Sequence, residues 1–359
     1  MDRTCASPDR LNAQQRSAHI RQVVMAKGDE LRARYPLLKH QDAIGAGILA
    51  FSLAGMIGSA ALFIEGYMAW WACLLINAFL ASLTHELEHD LIHSMYFRKQ
   101  RVPHNLMLAL VWLARPSTIN PWIRRHLHLN HHKVSGTETD MEERAITNGE
   151  PWGIVRLLMV GDNVMSSLIR MVRAKTWAHK WSILKRTLRV YAPLALLNWG
   201  TWYVFLGFHA ANGVAWLLGA PIDWSASTLA AMEVVNIAVV VIVGPNVLRT
   251  FCLHFISSNM HYYGDVELGN VMQQTQVLNA WWLWPLHAFC FNFGSTHGIH
   301  HFVVKEPFYI RQMTAPVAHK VMAEMGVRFN DFGTFSRANR FTPVAAPVGA
   351  DRVREPGTA

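Results

Sequence analysis

Two long stretches without a cation constrain this chain most. Residues 40–97 contain no Lys or Arg, and neither do residues 190–248, although the chain carries 33 such residues and a net charge of +9. Each stretch has room for two apolar segments of about 20 residues joined by a turn, the length a helix needs to cross the hydrocarbon of a bilayer. In the first, spans fall near 43–64 and 67–90 with Glu65-Gly66 as the turn; in the second, near 191–208 and 229–250. A hydrophobic content of 52% and a mean hydropathy of +0.14 agree. The expectation is an all-α, polytopic membrane protein with four transmembrane helices in two hairpins. A large soluble helical domain would leave both charge-poor stretches unexplained.

The cations then fall in the N-terminal segment, in the loop between the hairpins, or from Arg249 onward, all on one side of the membrane. The bias of Lys and Arg toward the cytoplasm assigns both termini to that side, with a bacterial inner membrane as the expected setting. Residues 1–40 lack the short apolar core of a cleavable signal. Within them, residues 9–35 read as an amphipathic helix lying on anionic lipid. Residues 41–335 are expected to form the membrane domain, and 336–359, rich in Pro, Gly and Ala, a disordered tail. Cys5, Cys73, Cys252 and Cys290 form no CxxC pair, so neither a disulfide framework nor a cysteine metal site is indicated.

The histidines are clustered. In RRHLHLNHHKVSG, residues 124–136, His128, His131 and His132 fall at i, i+3 and i+4 and share one helical face, with His126 turned away. HGIHH repeats that spacing at His297, His300 and His301, and THELEHDLIH sets His85, His89 and His93 one turn apart at the end of the second span. Imidazole nitrogen suits zinc, copper, iron and nickel, and ionisable groups at the end of a transmembrane helix mark function. His85 and His89 read as ligands; His93, nearer the headgroups, reads as an outer partner or surface residue. Trp281, Trp282 and Trp284 suit an anchor at headgroup level. A helix there would hold the third group against the same membrane face.

Eight imidazoles exceed what one ion uses, since a catalytic zinc takes three protein ligands, so two ions are implied. A ninth ligand is expected from HFISSNMHYYG, where His254 and His261 lie seven apart on one face; His261 is preferred, with His254 in reserve. Metal-bound histidines hand their second N–H to a carboxylate or carbonyl. Glu86, Glu88, Asp90, Asp140, Glu142 and Asn259 are near enough in sequence to serve, although Glu86 and Glu88 sit off the His85/His89 face. HELEH also matches the H-E-x-x-H helix of zinc peptidases. A membrane protease, however, needs one further ligand and leaves both HxxHH groups without a use. A metal carrier or haem protein would suit histidines at helix ends but not their repeated spacing.

Together, HxxxH (His85, His89) and two HxxHH groups (His128, His131, His132; His297, His300, His301) resemble the three histidine boxes of integral-membrane fatty acid desaturases and hydroxylases, over roughly residues 40–310. HHKVSGTETD is similar to the continuation of the second box in stearoyl-type desaturases. The resemblance implies two non-haem irons held by histidine in a helical cytoplasmic cap on a four-span bundle. It also implies O2 as co-substrate and removal of hydrogen from an unactivated carbon of a fatty acid or acyl chain drawn from the bilayer. EGYMAWWACLL, THELEHDLIH, LARPSTINPW and ITNGEPWG resemble more particularly the desaturase-like decarboxylases that turn a free fatty acid into a terminal alkene and CO2. Insertion of an internal double bond is the alternative. Arg124 and Arg125, beside the second box, read as contacts for the substrate head group. With no haem segment or rubredoxin-like cysteine pair, electrons are expected from a separate donor of ferredoxin, rubredoxin or cytochrome b5 type. Membrane lipids are the other expected partner, and no nucleic acid is.

Overall fold

The computed structural model describes residues 11–147 and 149–342. Among these, the architecture is helical, and extended chain pairs only in isolated bridges, His261 with Thr275 and Val277 with Phe329. The helices are α1 (Ala13–Arg34), α2 (Gln41–Ile64), α3 (Trp70–Ile92), α4 (Arg101–Ala114), α5 (Pro121–Val134), α6 (Met141–Ile146), α7 (Ile154–Gly161) and α8 (Asn163–Arg173). They continue as α9 (Trp177–Tyr191), α10 (Leu194–Leu217), α11 (Ala226–Ala238), α12 (Gly244–Met260), α13 (Trp284–Ala288), α14 (Phe293–Phe302), α15 (Phe308–Glu324) and α16 (Gly333–Ser336). Two helical stretches, Gln41–Ile64 and the continuous Ala226–Met260, are long and apolar enough to cross a membrane, with mean hydropathies of 2.0 and 2.1.

α2 and α3 form an antiparallel hairpin whose turn passes through Gly66 at φ +80. The inward stripe of α2 is Gly45, Leu49, Ser52, Met56 and Ser59, while Phe51, Ile57 and Ile64 point outward. Small residues on that stripe let the helices approach, and a polar chain ties them to a third: Ser59 Oγ donates to Asn77 Oδ1 at 2.5 Å, and Asn77 Nδ2 donates to the Val241 carbonyl at 2.8 Å. Val241 lies in a π-helical turn, Val239–Val243, that joins α11 to α12. The cause is local. Pro245 has no N–H to return to the carbonyl four residues back, which is that of Val241, so the ladder widens there and Asn77 takes up the acceptor.

α1 starts at a reciprocal cap between Asn12 and Gln15. It buries Ile20 and Val24 against Ala318, Val321 and Met322 of α15, and Arg32 grips Glu306 at 3.1 and 2.6 Å. The apolar stripe expected to rest on lipid is therefore covered by protein. The segment 278–293 is likewise not one helix. A 3-10 turn at Trp281–Leu283 leads into α13, and the left-handed Phe291 and Asn292 (φ 47 and 57) reverse the chain before α14 begins. Trp281 and Trp284 are strongly exposed on this bend. Residues 336–342, expected in the tail, are packed: Asn339 is buried, and the Phe341 and Thr342 N–H groups donate to Asp265 at 2.6 and 2.7 Å. The remainder of that tail, 343–359, and Cys5 lie outside the described residues.

Candidate metal centre

α3, α5 and α14 converge at the end of the α2/α3 hairpin remote from its turn. The last turns of α3 are buried continuously from Ala78 to Ile92, apart from Phe79. α5 begins with Pro121 at its first position and Asn120 as cap, accepting from the Trp122 and Ile123 N–H groups at 3.0 and 3.4 Å. α14 is pressed against the chain around Leu278, and Gly294 permits it: a Cβ there would lie 2.9 Å from the Leu278 carbonyl oxygen and 2.7 Å from His287 Cε1.

These helices and the end of α12 assemble two histidine groups. Ligand atoms of His89, His93, His128 and His300 all lie within 4.8 Å of one another, as do those of His131, His261, His297 and His301. His132 adjoins the first group. Its Nε2 is 3.1 Å from Nε2 of His128 and 3.0 Å from Nε2 of His300, while Nε2 of His93 is 2.9 and 3.1 Å from the same two atoms. In the second group Nε2 of His297 and His301 are 3.3 Å apart, and the buried Nε2 atoms of His131 and His261 have no hydrogen-bond partner.

The opposite faces of the rings are committed. Nδ1 of His128 donates to Glu142 Oε2 and Nδ1 of His131 to Asp140 Oδ2, each at 2.8 Å. Nδ1 of His301 donates to Gln274 Oε1 at 3.0 Å, and Nδ1 of His261 to the Ser257 carbonyl at 2.9 Å. A neutral imidazole has one N–H, so each of these four rings, in its neutral form, presents a bare Nε2 lone pair to the interior. Lone pairs gathered in a dry site repel and are unsatisfied, at about 1–3 kcal/mol each. A cation bound by imidazoles at about 2.1 Å sets neighbouring nitrogens about 3 Å apart, which is the spacing found. The donor set therefore fits a metal in each group, with the carboxylate–histidine backing typical of metal sites.

Electrostatics agree. Burial, together with the neighbouring rings, pushes His128, His297, His300 and His301 far below the ordinary histidine range, which keeps them neutral and able to ligate. Burial likewise lowers His93 to about 2, with His128 adding to it, and His261 to about 4, with His131 adding to it. His131 differs. Burial lowers it too, but the Asp140 hydrogen bond and the charges of Asp140, Glu142 and Glu143 outweigh this and raise it to about 9. The acidic residues behind His131 thus draw positive charge onto its ring, as proton or as metal.

Of the residues singled out from sequence, His89, His128, His131, His132, His261, His297, His300 and His301 come together. His93 joins them, because one more turn of α3 brings its ring to where α5 and α14 meet. His85, one turn deeper, belongs to neither group; its Nδ1 lies 3.3 Å from Arg115 Nη1 and its ring rests near Phe293. His85 and His89 of HELEH therefore do not share a ligand cluster, and Glu86 is engaged by Arg311 at 3.2 Å, which leaves the peptidase pattern without its geometry. His254 and His261 do not share a helical face, since α12 ends at Met260 and His261 is extended. His254 lies on a neighbouring cavity. Asn259 accepts from Arg156 at 2.9 Å and donates to the Phe255 carbonyl, away from both groups. Arg124 meets Glu88 at 3.4 Å and Glu142 at 3.3 Å on the wall of that cavity, whereas Arg125 donates to Ser94 Oγ at 2.7 Å. Glu143, Gln274 and Arg311 carry no mark in the sequence, and Ser257 and Arg249 none that points to the site.

A helical chain with two long apolar stretches and two adjoining histidine groups that could each hold a metal ion has the frame of a histidine-ligated metal protein of the membrane. The fatty acid desaturase family model matches residues 65–333, and the chain belongs to that family. A search of curated proteins returns no match. Members of the family are membrane-bound and generally use two irons with O2. This protein is accordingly an O2-dependent oxidoreductase acting on fatty acids, in a family whose members generally draw electrons from a separate donor.

Proposed function

We propose that the protein is a di-iron fatty acid decarboxylase that releases a terminal alkene. In this reading His89, His93, His128, His132 and His300 hold one iron, and His131, His261, His297 and His301 the other. The observation that carries it is a cavity of about 90 Å³ touching His128 of one group and His131 and His297 of the other, with Arg124, Arg249, Glu142 and Glu143 on its wall. Arg124 is held by Glu88 and Glu142, but Arg249 has no carboxylate partner. A free guanidinium beside the histidines suits a substrate whose carboxylate enters the reaction chamber, with the carbons next to the carboxyl near both groups. A desaturase acting in mid-chain needs its head group held far from the metals.

When bound, the irons supply O2 activation and cleavage of an unactivated C–H bond. The chain's own residues position and protect. Leu253 and Phe293 give the cavity an apolar side that excludes water from the first carbons. Asp140 and Glu142 hold the His131 and His128 rings with Nε2 inward. Overall RCH2CH2COOH, O2, two electrons and two protons give RCH=CH2, CO2 and two waters. The bond from the α carbon to the carboxyl breaks, and its electron pair forms the new π bond once the β hydrogen has gone. Internal desaturation would consume the same electrons and protons, so only the products separate the two. A fatty acid carrying 13C at its carboxyl carbon, given O2 and a reductant, should yield headspace 1-alkene with the label in CO2. Label retained in an unsaturated acid would establish the desaturase instead.

We further assign α2, α3, α10 and Ala226–Met260 as four spans in two hairpins, with residues 1–40, the cap and the C-terminal segment on the cytoplasmic side. The two cation-free stretches and the hydropathies of α2 and Ala226–Met260 support this.

A further inference from the structure

Among the described residues four arginines are almost wholly buried; two of them face carboxylates, and a third spends both of its Nη groups on carbonyl and amide oxygens. Arg311 meets Glu86 and Asp90 at 3.2 Å each, and Arg115 pairs with Glu88. Arg156 donates to the Glu150 and Ser258 carbonyls and to Asn259 and Asn339. Arg249 differs in having neither a carboxylate nor an acceptor for its Nη1. It is 1% exposed, its Nη2 reaches only the hydroxyls of Thr250 (3.0 Å) and Ser117 (3.5 Å), and its Nε and Nη1 have no partner. A buried guanidinium without a counter-ion is strongly disfavoured, so its retention calls for an anion that arrives later. Arg249 lines the cavity together with His85, His254 and His297, where an anion entering it can be met. Arg124 shares the wall but already faces Glu88 and Glu142.

We propose that Arg249 is the carboxylate anchor of the substrate site and the residue that selects a free fatty acid over its esters and thioesters. This rests on the function proposed above and deepens it. A guanidinium presents two parallel N–H groups to a carboxylate, a match that an uncharged ester cannot make. Anchored there, the acid has its α and β carbons in the chamber shared by both histidine groups.

The test uses the full-length protein in detergent and follows binding of dodecanoate and methyl dodecanoate by tryptophan fluorescence, with turnover of the acid measured in parallel. Wild type should prefer the acid by about tenfold or more, the scale of a charge-assisted hydrogen-bonded pair. Arg249→Met should abolish that preference through the acid alone, leaving ester binding unchanged. Its unfolding temperature should hold or rise, because no carboxylate is orphaned. Arg249→Lys, which keeps the charge without the fork, should retain an intermediate preference. A preference surviving in Arg249→Met, or absent from wild type, overturns the assignment of Arg249. Wild-type protein that binds the acid preferentially but converts it to an internally unsaturated acid would overturn the decarboxylase reading while leaving the anchor in place.

Discussion

Replacing Asp140 by Asn separates the two histidine groups experimentally. Asp140 is fully buried, receives the Nδ1–H of His131 at 2.8 Å and the Gly136 N–H at 3.3 Å, and caps α6. Asparagine has the same shape and, with its oxygen in the Oδ2 position, still accepts from His131 and Gly136; only the 3.5 Å cap bond from the Glu143 N–H to Oδ1 is given up. The negative charge behind His131 is lost. Loss of such a backing carboxylate costs about 10–100-fold in metal affinity, or about 1.4–2.7 kcal/mol. His131 belongs to one group only, so the loss should fall on one ion. Iron content measured after equilibration with graded chelator should show one ion per chain leaving at about 10–100-fold lower chelator than in wild type, with the other unchanged. Glu142→Gln, acting through His128, should weaken the other ion instead. Simultaneous loss of both ions in Asp140→Asn, or wild-type retention of both, would refute the division into two groups with separate backing.

The same geometry makes two further predictions. His93→Ala should lose one iron per chain, whereas His85→Ala should keep both and change substrate binding instead, since His85 faces the cavity and lies outside both groups; metal analysis of the two variants side by side checks this, and equal loss in both would contradict it. Arg311→Met should lower stability by about 3–5 kcal/mol by leaving Glu86 and Asp90 buried without a cation; an unfolding temperature equal to that of wild type would show the pairs to be inert.

Much of the site was legible in the sequence because the ligands sit on helices, where i, i+3 and i+4 spacing states which side chains meet. That rule delivered His128, His131 and His132 together with His297, His300 and His301. It could not decide which two of His85, His89 and His93 reach the centre, since all three share a face and the choice depends on how deep α5 and α14 meet α3. His261 lies beyond the end of its helix, so periodicity offers no account of its position. Arg249 marks the edge of a cation-free stretch in the sequence. Only the fold shows that it is buried and has no carboxylate beside it. The cap helices between the hairpins carry mixed, polar faces whose packing depends on distant chain, and α1 found a protein partner where its composition suggested lipid.

The most direct test of the two-iron centre is the metal itself. Purified protein reconstituted anaerobically with ferrous iron should bind two irons per chain, with Mössbauer and X-ray absorption spectra dominated by nitrogen ligands from imidazole. One ion per chain, or a preference for a single zinc over iron, would contradict it.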